Sequence, residues 1–231
     1  MLLRAMILLF LWANLTQRNI HQRWEDLLDR HVSSTGMINY SDWKKESHAL
    51  SSYLKALEDH PPQAYWTPAD RKAFWINVYN AATIALVLQH HPLESIQEID
   101  DPWETKVFQL GNQGLSLKAI ERLLLKMEDP RILFALHRAA VGSPVLSKQP
   151  YRSNTLEEQL QVATIKFLND QSKNKCQKDK SHLSRIFLWY FKSFGPLEQK
   201  IAFLNKYACK DVDQSTKISF LPFDWQLNQW P

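Results

Sequence analysis

Residues 67–90 read TPADRKAFWINVYNAATIALVLQH, and this stretch decides the fold. Thr67 is a typical helix N-cap, Pro68 suits the first helical position, and Asp70 can close the first turn. From Ala73 to Gln89 the residues are apolar nearly all round, which is typical of a helix that is buried on most sides. The sequence therefore predicts a central helix against which the rest of the chain packs.

A narrow polar stripe interrupts the interior of this helix. Asn77, Asn80 and Thr83 follow one another at a spacing that places them on one side of the helix. Burying an amide side chain without a hydrogen bond costs about 1–3 kcal/mol, so the stripe must meet other polar groups. Two interpretations stay open. The stripe belongs either to a structural network that holds neighbouring loops or to the wall of a polar cleft.

The remaining patterns are shorter and predict a mixed fold. Apolar and polar residues alternate on both sides of the glycine-flanked turn at 111–114, which predicts a hairpin over 107–117. Residues 217–223 alternate enough for a further strand, whereas the period of 131–146 does not distinguish helix from strand. The predicted fold class is α+β. It is a predominantly helical single globular domain over residues 20–231, with a small antiparallel sheet or hairpins.

Two further helices are predicted from their ends. Thr155 and Glu158 have the spacing of a capping box that opens a helix reaching about Leu168. Ser181 is predicted to begin another helix, which ends where Gly195 stands, because glycine commonly terminates helices.

The composition excludes several classes of protein. Among 231 residues, 45% are hydrophobic and 23% are charged, as in an ordinary globular protein. There are five glycines and no glycine-rich phosphate-binding motif. The net charge is +4, and the one dense basic stretch, 173–180, is interpreted as a solvated loop, so no nucleic-acid partner is predicted. The nine tryptophans favour a large core over an aromatic-lined groove.

The first 15 residues differ from the rest. Arg4 precedes an apolar run from Ala5 to Leu11, which is too short to span a bilayer. Residues 1–15 are therefore predicted to be a signal peptide or an N-terminal hydrophobic segment, and the protein to be exported to the periplasm or secreted. A buried first helix and an uncleaved membrane anchor are the alternatives. No membrane span beyond such an anchor is predicted.

The two cysteines and eight histidines indicate no metal site. Cys176 and Cys209 either form a disulfide in an oxidising compartment or remain as thiols. His60, His90 and His91 precede prolines or helix ends and have no spacing of the kind that brings three or four ligands together. Neither a metal nor a cofactor is predicted.

Several segments together resemble the domain-of-unknown-function family 547 (DUF547), and they occur in the family's order over nearly everything after residue 20. They are RKAFWINVYNAATI (71–84), FQLGNQGLSLKAIE (108–121), DPRILFALHRAAVGSPVL (129–146), YRSNTLEEQLQVATIKFLND (151–170), SRIFLWYFKSFG (184–195) and FLPFDWQLN (220–228). The resemblance implies an often exported protein, and it implies no established reaction.

The chain departs from the family at one motif. The family usually shows His-Phe-Ala-Leu-Asn-Cys-x-Ser-x-x-Cys-Pro. Aligned with this pattern, the residues at the His, Asn, Cys, Ser and second Cys positions are Leu133, His137, Arg138, Ala140 and Ser143. If the family uses a cysteine nucleophile, this chain has lost it, because arginine cannot replace a thiolate. If the two cysteines form a structural bridge, this chain dispenses with that bridge.

Three functions follow from these residues. In the first, a non-catalytic or reduced member binds a small molecule or peptide in a polar cleft lined by Asn77, Asn80, Arg131 and His137, with Glu121 as a further binding residue. In the second, a hydrolase or transferase acts on amide or ester bonds, with Ser143 or water attacking and His137 as the base. In the third, the chain is a structural or partner-binding module with an exposed apolar patch near its Trp-rich C-terminal part. Packing for His137 and a structural ion pair of Arg131 with Glu121 or Asp129 are the alternatives to these functional roles.

Overall fold

A computed structural model describes residues 20–208 and 212–230. The segment predicted for export, residues 1–15, lies outside these ranges, as does Cys209. Cys176 is disulfide-bonded. The predicted helix-rich α+β fold is confirmed, and in the part of the chain described here no helix is both long and apolar enough to cross a membrane.

Four helices come first along the chain, and the strands follow in two pairs among the later helices. The helices are α1 (20–31), α2 (Tyr40–Lys45), α3 (Ser47–Asp59), α4 (Pro68–His90), α5 (Leu117–Leu125), α6 (Leu156–Leu168), α7 (Ile186–Trp189) and α8 (Leu197–Tyr207). The strands are β1 (Lys106–Leu110), β2 (Gln113–Ser116), β3 (Lys180–Leu183) and β4 (Lys217–Phe220).

Helix α4 is the central helix that the sequence predicts. Its N-terminus carries the expected capping box, in which the Thr67 hydroxyl accepts from the Asp70 N–H while the Asp70 carboxylate accepts from the Thr67 N–H. The residues from Ala73 to Ile84 are all buried. The helix packs against α2, α3, α5 and β1. Its apolar side chains therefore form the middle of the larger hydrophobic core.

The hairpin prediction is also confirmed. β1 and β2 pair antiparallel, and Gly111 in the turn has a φ of 56°, a left-handed conformation that glycine adopts easily. The Ser116 side chain accepts from the Ala119 N–H and begins α5. The hairpin thus leads directly into a helix that packs on α4.

Two local predictions were wrong. Ser181 lies within β3, which pairs in parallel with β4, and only the short α7 and a 3-10 turn (Phe191–Phe194) follow. Backbone pairing with β4, which is distant in sequence, outweighs the local helix pattern. The capping box at Thr155 is absent as well, because its hydroxyl contacts the Gln159 side-chain oxygen at 3.2 Å and makes no cap bond.

Residues 129–146, called the motif segment below, join two hydrophobic clusters. The segment begins as a 3-10 helix (Pro130–Phe134) and continues without regular structure to residue 146, so it is neither an α-helix nor a strand. Ile132 and Leu136 pack into the larger core around α4. Leu133 and Phe134 pack into a second cluster with residues from α6, α7 and α8.

Residues 224–230 cross from the motif segment to an early part of the chain. The Gly142 N–H donates to the carbonyl of Asp224 at 2.9 Å, and the N–H of Ile38 donates to the carbonyl of Asn228 at 2.9 Å. A Cβ atom on Gly142 would lie 2.8 Å from the Asp224 nitrogen, so this contact requires glycine. The crossing segment therefore holds two distant loops together.

Candidate functional site

Two side-chain amides of α4, those of Asn77 and Asn80, form hydrogen bonds with main chain through both their nitrogen and their oxygen atoms. Asn77 Nδ2 donates to the carbonyl of Tyr151 at 2.8 Å, and Asn77 Oδ1 accepts from the N–H of Tyr151 at 2.9 Å. Asn80 Nδ2 donates to the carbonyl of Ala135 at 2.9 Å, and its Oδ1 accepts from the N–H of His137 at 2.8 Å. Each asparagine thus clamps one loop to the central helix.

These clamps decide between the two interpretations of the polar stripe. Asn77 and Asn80 are only 1% and 2% exposed, and the Thr83 hydroxyl donates within the helix to the carbonyl of Tyr79 at 2.8 Å. A buried amide whose donor and acceptor both have main-chain partners has its strongest interactions already filled. The structure shows the structural network, and it gives no support to the predicted cleft wall at Asn77 and Asn80.

His137 is held as a packed residue inside the fold. It is buried, with Nδ1 at 2.8 Å from the Pro144 carbonyl oxygen and Nε2 at 3.2 Å from Asn228 Oδ1. Burial lowers the pKa of His137 to about 4. The Pro144 carbonyl oxygen and Asn228 Oδ1 can both only accept, so each ring nitrogen faces an acceptor and the neutral ring donates to one of them at a time.

Ser143 is close in sequence but is not paired with this ring. Its hydroxyl oxygen accepts from the backbone N–H of Arg138 at 2.7 Å, which makes it part of a turn. A general base must reach the proton that it removes, and both His137 nitrogens face other atoms. The predicted Ser143–His137 hydrogen bond is therefore not formed.

Arg131 makes the structural ion pair that was one of its two alternatives. Its guanidinium contacts Asp129 at 2.8 Å and Glu157 at 2.7 Å. Lys72 adds a third contact to this group at 3.1 Å from Asp129. The hydrogen bonds that Arg131 donates to the carboxylates of Asp129 and Glu157 raise the pKa of Arg131. Two carboxylates of the chain itself thus occupy the hydrogen-bond donors of the Arg131 guanidinium. Because Glu157 belongs to α6, its pair with Arg131 anchors the start of the motif segment to that helix.

A second charged cluster surrounds Arg138. This buried guanidinium lies 3.1 Å from the Glu121 carboxylate and 3.2 Å from the Tyr190 hydroxyl, and it sits over the Tyr190 ring at 5.3 Å. Tyr190 donates in turn to Glu121 at 2.7 Å. Glu121, predicted as a binding residue, is thus the ion-pair partner of Arg138, and its side chain remains 15% exposed.

Aromatic side chains from distant parts of the chain form a partly exposed row that includes residues of its C-terminal part. Four rings follow one another in contact, and this aromatic row consists of Trp103, Trp225, Phe223 and Trp189. Their centroids are 6.0 Å apart for Trp103–Trp225, 4.5 Å for Trp225–Phe223 and 5.0 Å for Phe223–Trp189. None of the four is fully buried. From the sequence the tryptophans are predicted to lie in the core, and the signal that the sequence offers for this surface is their abundance near the C-terminal part.

An open pocket of about 450 Å³ adjoins the end of the aromatic row. Residues 97–103 line it, so that Trp103 belongs to both the row and the pocket. Asp100 and Asp101 are exposed there, and neither forms a salt bridge within the described ranges. Across the same ranges, no group of three or more His, Cys, Asp or Glu side chains could hold a metal ion.

Comparison with known proteins identifies part of the chain. Residues 64–168 match the model of a family described as "Protein of unknown function, DUF547". These residues belong to the DUF547 family. The match begins just before α4 and ends with α6, so the DUF547 segment includes both asparagine clamps and the motif segment. No curated protein and no solved structure matches the chain.

Within the DUF547 segment, the groups at the altered motif have structural partners. Arg138 carries a permanent positive charge and cannot act as a nucleophile. The Ser143 hydroxyl accepts a backbone hydrogen bond, and the ring of His137 is held on both sides. The altered motif therefore provides an ion pair between Arg138 and Glu121 and a motif segment that is fixed by hydrogen bonds. The aromatic row, by contrast, is partly exposed and adjoins the open pocket.

Proposed function

We propose that this protein is an exported, non-catalytic DUF547 member that binds a cationic small molecule or a basic peptide. The observation that carries the proposal is a contrast between two regions. The polar groups of the motif segment form hydrogen bonds and ion pairs within the fold, while the partly exposed aromatic row adjoins a pocket in which Asp100 and Asp101 form no salt bridge with any described residue.

The absence of catalysis rests on the geometry of the motif segment. A serine nucleophile needs an adjacent base, and His137 is turned toward Pro144 and Asn228. A His137 pKa of about 4 makes the ring a weak base near neutral pH. Hydrolysis of p-nitrophenyl acetate should be no faster with the wild type than with Ser143→Ala. A clear excess in the wild type would contradict this part of the proposal.

The ligand class follows from the chemistry of the pocket. The face of a tryptophan ring attracts cations, and a carboxylate nearby strengthens the attraction. Trp103 supplies such a face next to Asp100 and Asp101. The Trp225 ring lies 6.0 Å from the Trp103 ring and is tilted by 51° to it, so Trp225 continues the aromatic surface at an angle beside the pocket, where an aliphatic part of the ligand would lie.

A thermal-shift experiment tests the binding. Choline, spermidine and a short lysine-rich peptide are added to the wild type, to Trp103→Ala and to Trp66→Ala. Trp66 is a matched control, because it is also half-buried but packs against Phe74 on α4. At least one probe should raise the Tm of the wild type and of Trp66→Ala, but not that of Trp103→Ala. Equal shifts in all three proteins, or none in the wild type, would remove the support for this site.

Export is proposed from the residues alone. Arg4 followed by an apolar run fits a secretory signal. Expression in a bacterial host, with separation of periplasm, membrane and cytoplasm, should place the protein outside the cytoplasm. Mass spectrometry of the recovered chain then shows whether the first residues have been removed. A full-length chain confined to the cytoplasm would contradict export.

A further inference from the structure

Residues 185–200, called the knuckle below, concentrate exposed apolar side chains in a short piece of chain. Nine large hydrophobic residues are exposed in the described ranges, and four of them lie within residues 188–197. They are Leu188 at 45%, Trp189 at 41%, Phe191 at 52% and Leu197 at 43% exposed. Contiguous apolar surface of this kind marks an interaction site more often than single exposed residues do.

The backbone of the knuckle presents these side chains on a tight bend. The four-residue helix α7 passes into a 3-10 turn over Phe191–Phe194, and Gly195 then takes a φ of 70° before α8 begins. Phe187 and Phe194 point into the second hydrophobic cluster, where their ring centroids lie 4.8 Å apart. Phe187 and Phe194 thus fix the bend to the second hydrophobic cluster, whereas the four large hydrophobic residues named above remain exposed to solvent.

The charges beside the exposed apolar residues are mainly positive. Arg185 and Lys192 are exposed, and Lys200 Nζ lies 2.8 Å from the centroid of the Phe191 ring. Among the described residues, none of these three cations forms a salt bridge with a carboxylate. Glu198 is the one acidic residue between positions 185 and 200. The knuckle therefore combines aromatic and aliphatic anchors with a net positive charge.

Lys180 and Lys217 add positive charge at the start of the β3–β4 pair, whose first strand leads into the knuckle. They are opposite each other in the parallel pair of β3 and β4, and both are exposed. Like charges placed directly opposite in a sheet repel each other, so this arrangement costs stability unless an anion is present. β3 ends only two residues before α7.

We propose that the knuckle docks the protein onto the surface of an anionic lipid bilayer. Tryptophan and phenylalanine prefer the lipid–water interface, and leucine inserts into the acyl boundary. Lysine and arginine next to such anchors are attracted to anionic headgroups. A second copy of this chain is a poorer occupant, because two knuckles with the same net positive charge would repel each other. The knuckle shares Trp189 with the aromatic row, but the proposal does not depend on ligand binding at Trp103, and the variants that test it leave Trp189 unchanged.

The experiment measures co-sedimentation of the full chain with vesicles. One set contains equal parts of phosphatidylcholine and phosphatidylglycerol, and the other contains phosphatidylcholine alone. The wild type should bind the mixed vesicles and lose affinity as salt is added, because part of the attraction is electrostatic. Weak binding to the neutral vesicles is expected.

Two variants test the anchors and the charge separately. Leu188→Ser with Phe191→Ser should lower the affinity for mixed vesicles by at least about tenfold, because two apolar side chains no longer insert. Lys192→Glu should lower it by about tenfold, because an attractive charge becomes a repulsive one. The matched controls lie on α6, where Val162 and Ile165 are 57% and 40% exposed.

The controls make each outcome decisive. Val162→Ser with Ile165→Ser, and Lys166→Glu, make the same chemical changes elsewhere on the surface and should leave vesicle binding unchanged. Circular dichroism checks that all variants remain folded. The proposal is overturned if the wild type does not bind mixed vesicles, if it binds neutral vesicles equally well, or if the knuckle and α6 variants behave alike. A knuckle variant that changes only the oligomeric state in light scattering would identify a second copy as the occupant instead.

Discussion

Replacing Asn80 with alanine removes both atoms that connect α4 to the motif segment. The carbonyl of Ala135 and the N–H of His137 then lose their partners. Because Asn80 is 2% exposed, water does not reach these groups easily. Leaving a buried polar group unsatisfied costs about 1–3 kcal/mol, so two groups together cost about 2–6 kcal/mol. That loss is a large part of the roughly 5–15 kcal/mol that stabilises a typical domain.

Urea unfolding and thermal melting measure this loss. For a chain of this size, the Tm should fall by roughly 5–20 °C. Gln161→Ala is the matched control, because it removes an amide from the exposed side of α6 and should change the stability by less than about 0.5 kcal/mol. If Asn80→Ala were no more damaging than Gln161→Ala, the clamp would contribute nothing, and the reasoning from hydrogen bonds to a structural role would be refuted.

Three more changes test the motif segment and its supports. The pKa of His137 is about 4 in the folded chain and 6.5 in the unfolded chain, so the unfolded chain takes up a proton first as the pH falls. The protein should therefore lose up to about 3 kcal/mol of unfolding free energy between pH 6.5 and about pH 4. In urea titrations, His137→Asn should make the unfolding free energy less dependent on pH over this range. Arg138→Met should lower the unfolding free energy by roughly 3–5 kcal/mol, because Glu121 loses its buried partner. Adding Glu121→Gln should recover part of that loss. A double variant that is no more stable than Arg138→Met would argue against the ion pair. Gly142→Ala should lower the unfolding free energy by about 1–3 kcal/mol, since the new methyl group meets the Asp224 backbone, and an unchanged midpoint would contradict the close contact.

Local signals in the sequence were enough to predict the centre of the fold. The capping box at Thr67 and the apolar run behind it depend only on neighbouring residues, as does the turn between β1 and β2. Where long-range pairing competes with local pattern, prediction failed. Ser181 joins a strand because β4 lies beside it, although that partner is more than thirty residues away in sequence.

The partners of the amides on α4 could not be predicted from the sequence. The sequence indicates that Asn77 and Asn80 need polar partners, but it does not show that main chain 74 and 55 residues away, respectively, supplies them. The aromatic row was hidden for a similar reason. Trp103 and Trp225 meet only in the folded chain, and a tryptophan has the same appearance in sequence whether it fills a core or a surface.

The crossing of residues 224–230 has a consequence for synthesis in the cell. Tyr40 hydrogen-bonds to Asn228 across a separation of 188 residues. At ribosomal speeds this separation corresponds to roughly 10–40 s of elongation. Throughout that interval Ile38 and Tyr40 have been synthesised, but their hydrogen bonds to Asn228 cannot yet form. The apolar side chains of this loop therefore stay uncovered on the nascent chain until residue 228 has been made, and during that time they are exposed to cotranslational chaperones.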